Sequence, residues 1–178
     1  ASMALLADGS YVVAWQSPDQ DGSGWGIYGQ RYSASGSKLG GEFRLNASTS
    51  SNQMFSDMWD WNPLQSIAGL EDGGFVAVWR SDNADQSGWG VIGQRFDAVG
   101  NRVGNEFIVN TQTQDSQYHP AVANLADGGF VVTWNSWGQD GSYWGIYGQR
   151  YGADGSKVGQ EFLVNTTTNS RSEEHTSE

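Results

Sequence analysis

Apolar and polar positions along this chain fall into short runs broken by Gly, Asp, Asn and Ser. Residues 121 to 165 show the pattern best. Ala121 to Leu125 is a short apolar run, and Asp127-Gly128-Gly129 follows it. Phe130-Val131-Val132-Thr133-Trp134 then alternates with an aromatic face. Past a polar loop, Ser136 to Ser142, comes Gly145 to Tyr151; past Ala153-Asp154-Gly155 comes a last run ending in Phe162-Leu163-Val164-Asn165. Period-two alternation bounded by Asp-Gly turns predicts four strands joined as hairpins.

The same signature occurs three times. Asp8-Gly9, Asp72-Gly73 and Asp127-Gly128 each stand seven residues before a Trp, at Trp15, Trp79 and Trp134. Trp25, Trp89 and Trp144 follow ten further on, then Arg31, Arg95 and Arg150, then Phe43, Phe107 and Phe162, and Asn46, Asn110 and Asn165 close each copy. The copies are 55 residues apart from Asp72 to Asp127 but 64 from Asp8 to Asp72, so nine extra residues sit around Ser51 to Gly69. They predict a lengthened loop with a distorted first strand. The division expected is repeat 1 at 1–48, an inserted loop at 49–62, repeat 2 at 63–112, repeat 3 at 113–170 and a non-repeat tail at 171–178. That tail matches no part of any copy, resembles a translated sequencing adaptor, and is set aside as a fusion scar would be.

Four strands in a unit of this length slightly exceed a propeller blade, so the expected fold is all-β: tandem four-stranded antiparallel repeats forming three blades of a partial β-propeller. A single blade cannot bury both faces and must stack on neighbours. Closed propellers use about four to eight blades. The expectation is therefore that neighbouring repeats of a parent chain complete the ring and that the sequence starts within a longer protein.

Composition agrees and narrows the partners. The chain has 25 Gly, 9 Trp, 7 Tyr and 7 Phe, with a formal charge of -11. An acidic surface repels phosphate backbones and anionic lipid headgroups, so nucleic acid is not an expected partner. No apolar run reaches the roughly 20 residues of a membrane span, so membrane insertion is not expected either. The absence of Cys removes disulfides, thiolate metal sites and a cysteine nucleophile.

Catalysis finds few residues. The two histidines are His119 and His175, so no Ser/His/Asp set or histidine metal site can be assembled. A carboxylate pair for glycoside hydrolysis stays formally open through Asp57 and Asp60 in the inserted loop. The loops after the second strands are better site candidates. Asp19, Asp21, Asp85 and Asp140, set among Asn, Ser and Gly, present oxygens of the kind calcium requires, the alternative being Asx turns capping their own backbone. Their likeness to the sialidase Asp-box fails, because Gly22 directly follows Asp21. Trp25, Trp89 and Trp144 flank these loops and could stack on sugar rings, the alternative being core. Trp15, Trp79 and Trp134 lie inside the second strands and read as core. The exchange of Tyr28 and Tyr147 for Ile92 is one that packing tolerates. Arg31, Arg95 and Arg150, with Glu42, Glu106 and Glu161 eleven residues on, suggest structural ion pairs or carbonyl clamps.

With DGGFVVTW at 127–134, GIYGQRY at 145–151 and GQEFLVN at 159–165, residues 1 to 170 resemble tandem repeats of large secreted bacterial proteins of the adhesin-like, RTX-associated kind. The resemblance implies an extracellular or cell-surface setting and frequent calcium binding. The glycine-rich nonapeptides that bind calcium in such proteins are absent, so no calcium ligand carries over. The expected function is a non-catalytic structural or adhesive module whose loops offer calcium or a glycan or cell-surface ligand a site. The alternative is a propeller fragment of a polysaccharide-active enzyme with its active residues elsewhere.

Overall fold

The computed structural model describes residues 1–55, 65–82, 84–141 and 143–166. Asp57, Asp60, His175 and the tail from Arg171 lie outside the described residues. Among the described residues every element is a strand: β1 (Ser2–Leu5), β2 (Tyr11–Pro18), β3 (Trp25–Tyr32), β4 (Lys38–Arg44), β5 (Gln53–Met54), β6 (Ile67–Gly69), β7 (Phe75–Asp82), β8 (Trp89–Phe96), β9 (Arg102–Ile108), β10 (Gln117–Asn124), β11 (Phe130–Trp137), β12 (Trp144–Tyr151) and β13 (Lys157–Leu163). They form three antiparallel meanders, β1-β2-β3-β4, β5/β6-β7-β8-β9 and β10-β11-β12-β13.

The extra nine residues divide the first strand of the second sheet. Gln53 and Met54 pair with Ser81 and Arg80, and Ile67 to Gly69 pair with Ala77 to Phe75. In the third sheet one strand, β10, does both jobs across a bulge between Tyr118 and Ala121. The first strand is thus longer than the run from Ala121 to Leu125 suggests, because His119 at φ 54° and Pro120 interrupt its alternation without ending it.

Local chemistry sets each hairpin. At the first turn of the sheets Gly9, Gly73 and Gly128 donate to Leu6, Leu70 and Leu125 at φ 81°, 86° and 81°, a left-handed bulge position that favours glycine. The preceding Asp caps the turn: Asp127 Oδ1 accepts from Gly129 N at 3.1 Å. That amide, then Arg150, holds the Asp127 carboxyl below the ordinary 3.8. In β4, β9 and β13 a second bulge is filled from the neighbouring strand by a buried Gln. Gln94 Nε2, for example, donates to Arg95 O and Val103 O at 2.8 and 3.2 Å.

Stacking supplies the core. The first two sheets share Ala4, Leu6, Val12, Ala14, Ile27 and Leu45 on one side and Phe55, Ile67, Phe75, Ala77, Trp79, Ile92 and Phe96 on the other. The seam between the second and third sheets repeats that arrangement, small aliphatic residues such as Val76, Val78, Val91 and Val109 against Phe130, Trp134 and Tyr151. Trp79 and Trp134 are each 1% exposed, whereas Trp15, on the outer face of the first sheet, is only half-buried. Tyr28, Ile92 and Tyr147 are all buried, as a packing position requires.

Polar contacts follow the same repeat. Arg95 and Arg150 pair with Asp72 and Asp127 of their own sheet's turn, not with the recurring Glu. Glu106 accepts the amide of Ala47 at 2.5 Å and Glu161 that of Thr111 at 2.7 Å, so each Glu ties its sheet to the end of the preceding one.

Candidate functional site

The loop carboxylates are placed first by their own hairpins. In the first copy the β2–β3 connection is a tight loop in which Asp19 N donates to Gly24 O at 2.5 Å, and in the third copy the corresponding bond runs from Gly138 N to Tyr143 O at 2.8 Å. Asp19 sits at φ 57° where the third copy has Gly138 at φ 69°, so its position demands a residue tolerant of the left-handed region. Its side chain is exposed.

Asp21 and Asp85 turn inward instead. Asp21 Oδ1 accepts from Ser23 N at 3.2 Å and Oδ2 from Asn46 Nδ2 at 3.2 Å. Asp85, buried, repeats this with Ser87 N at 3.2 Å and Asn110 Nδ2 at 2.8 Å. Both are the Asx-turn geometry, extended into the core by the closing Asn. Asp140 occupies the matching place, with its carboxylate 3.2 Å from where a Cβ on Gly145 would lie. Among the described residues no group of three or more His, Asp or Glu side chains gathers as a metal would need.

The closing Asn, to which sequence reasoning assigned no role, is the hub of this network. Asn110 Oδ1 accepts from Val91 N at 2.8 Å, while Nδ2 reaches Asp85 Oδ2, Gln112 O at 2.9 Å and Gln117 Oε1 at 3.0 Å. One amide thus joins the loop, the third strand and the first strand of the next sheet. Asn46 does the same with Ile27, Asp21, Ser48 and Gln53.

The three loop tryptophans have different surroundings. Trp25 has no ring neighbour among the described residues, and its amide donates to Asn52 Oδ1 at 3.2 Å. Trp89 and Trp144 meet across the seam between the second and third sheets, on either side of Tyr118. The ring centroids lie 6.4 Å apart for Trp89 and Tyr118, and 5.5 Å for Tyr118 and Trp144. The row continues onto the third sheet's loop, with Trp144 to Trp137 at 4.8 Å and Trp137 to Tyr143 at 5.5 Å. Trp137 and Tyr143 are 38% and 58% exposed.

Beneath the row lies Arg80, whose Cζ is 4.4 Å from the Trp89 centroid and 5.1 Å from that of Tyr118. Its guanidinium is held by the two ring faces, a cation–π arrangement that is strong where water is excluded. Arg80, Trp89, Tyr118, His119 and Trp144 line a pocket of about 270 Å³. The strained backbone of His119 belongs to this rim; residues held in such conformations concentrate at binding sites.

Arg80, Tyr118, Trp137 and Tyr143 were missed by reading what the copies share. Their signal lies in what the copies do not share: Arg80 replaces Gln16 and Asn135, Tyr118 replaces Met54, and Trp137 replaces Pro18 and Asp82.

No family model matches the chain, and no curated relative does. Among solved structures, an endo-arabinase from Bacteroides thetaiotaomicron VPI-5482 superimposes with a TM-score of 0.48 at 12% identity, over 89% of this chain and 59% of that one. The chain therefore spans about 59% of that enzyme's length. A likeness at that score fixes neither fold nor activity.

Proposed function

We propose that this chain is a carbohydrate-binding module of propeller type, acting through the aromatic row between its second and third sheets. The observation that supports this is the run Trp89–Tyr118–Trp144–Trp137–Tyr143, consecutive rings within 4.8 to 6.4 Å, ending on exposed side chains. Aromatic faces pack on the C–H faces of sugar rings, and a row of them matches a chain of sugars better than one small ligand. The charge of -11 favours a neutral glycan over a uronic-acid polymer. The secreted, surface-exposed setting and the flanking repeats that complete a propeller are part of this reading.

Calorimetric titration with a panel of neutral oligosaccharides tests it. Trp144→Ala and Tyr118→Ala are each expected to weaken binding about fivefold or more, each stacked ring contributing about 1 kcal/mol or more. Trp25→Ala is expected to leave it unchanged. Binding indifferent to Trp144 and Tyr118 removes the site. The same oligosaccharides, assayed for cleavage, separate binding from the polysaccharide-active alternative.

Calcium is a separate proposal, confined to the first loop, where the exposed Asp19 and the half-buried Asp21 carry two carboxylates two residues apart. An ion there competes with Asn46 for Asp21 Oδ2. In the same calorimeter calcium should bind the parent chain and not Asp21→Ala; equal heats in both, or none in either, end the proposal.

A further inference from the structure

The seam between the first and second sheets holds a cavity of about 310 Å³. Trp79, Ser81, Asp82, Ala84, Ile92 and Glu106 line it, and the crossover from β4 to β5 contributes Ser48 and Ser50. Trp79 and Arg80 are successive residues of one strand, so this cavity and the Arg80 pocket open on opposite faces of the second sheet.

Two exchanges that set the second copy apart leave the space. Ala84 stands where the other copies have Gln20 and Gln139, and Ile92 where they have Tyr28 and Tyr147. At the second seam both larger side chains are in place: Tyr147 is buried, and Gln139 Nε2 donates to Glu161 Oε1. The first seam has neither.

The copies also differ in how they satisfy a carboxylate. Glu161 takes three hydrogen bonds, from Thr111 N, Thr111 Oγ1 and Gln139 Nε2. Among the described residues its counterpart Glu106 keeps one, from Ala47 N at 2.5 Å, because Ala47 replaces the threonine and Ala84 the glutamine. Oε2 of the half-buried Glu106 is left without a partner among these residues, and Asp82 brings a second carboxylate to the same wall. Ser81 is 6% exposed, and its hydroxyl likewise has no partner among the described residues. No Lys or Arg among them lines the cavity. Arg102, on the same strand as Glu106, donates instead to the carbonyls of Arg44, Leu45 and Asn46.

We propose that this cavity binds a small hydroxylated organic ammonium, the class to which amino sugars belong. Two carboxylates without a lining cation call for a positively charged donor, and a charge-assisted bond to Glu106 replaces those that Thr111 Oγ1 and Gln139 give Glu161. Serine hydroxyls both donate and accept, as ring hydroxyls require, while Trp79 and Ile92 offer apolar surface to the C–H face of the ring. Ligand pockets run from about 300 to 1,000 Å³, and a cavity at the small end of that range suits a single sugar ring. The site is independent of the aromatic row, which lies at the other seam.

Calorimetric titration with glucosamine at about pH 6, where the amine carries its proton, tests the proposal. The parent chain should bind saturably, and glucose, a similar ring without the charge, should bind about tenfold more weakly. Glu106→Gln keeps an oxygen for Ala47 N and should lower the affinity for glucosamine about tenfold. Ala84→Gln restores the side chain of the other copies, which fills the cavity and donates to Glu106; it should abolish binding without lowering the melting temperature. Trp144→Ala, at the centre of the aromatic row, should leave glucosamine affinity unchanged. Absence of binding to the parent chain, glucose held as tightly as glucosamine, affinity indifferent to Glu106→Gln and Ala84→Gln, or binding lost in Trp144→Ala would each overturn the inference.

Discussion

Asn110→Ala is expected to lower stability by about 3–5 kcal/mol, as much as any single polar substitution in the chain. The methyl group leaves Val91 N, Asp85 Oδ2 and Gln117 Oε1 without the partner that the amide gives them, and Asp85 and Gln117 are buried. Each stranded buried group costs about 1–3 kcal/mol, and a buried carboxylate stands at the upper end. Asn110→Asp should be no better, since it sets a second acceptor against three existing ones, Asp85 Oδ2, Gln112 O and Gln117 Oε1. Asn46→Ala should match it, because Asn46 is equally buried and equally connected. Asn165, half-buried and last in its row, should cost less. Denaturant unfolding monitored by circular dichroism measures all four.

The second large effect separates tryptophans that look alike in the sequence. Trp79→Ala and Trp134→Ala should each cost about 3–5 kcal/mol, the range for emptying a large aromatic site in a packed core. Both are 1% exposed in a seam between sheets. Trp15→Ala, at the same repeat position, should cost about 1–2 kcal/mol, because no sheet among the described residues packs on its half-buried ring and less area leaves water on folding. Unfolding midpoints at sub-micromolar concentration give the comparison, and equal losses at all three positions contradict the stacking order.

The repeat, the four-strand unit and the buried second-strand tryptophans could be read from spacing alone, because alternation and Asp-Gly turns are local signals. What spacing hid was chemistry that closes over distance. Asp21 and Asp85 look like exposed loop ligands; their partners Asn46 and Asn110 lie 25 residues away, and only folding shows the carboxylates turned inward. Arg31, Arg95 and Arg150 recur with a Glu, yet Arg95 and Arg150 pair with the turn Asp, because the Glu is drawn to the preceding sheet's amides. The aromatic row was half visible: Trp89 and Trp144 carry the repeat, while Arg80, Tyr118 and Trp137 depart from it. Shared positions build the scaffold here, and unshared ones gather at its seams.

Everything above depends on adjacent sheets sharing one core, and Phe43 and Phe96 report on it directly, since they belong to different sheets and meet edge-on at 6.3 Å. A double-mutant cycle with Phe43→Ala, Phe96→Ala and the pair is expected to give a coupling of about 1 kcal/mol, as aromatic pairs in contact do. Losses that add to within about 0.3 kcal/mol would mean that the two rings do not touch and that the sheets are not stacked as described.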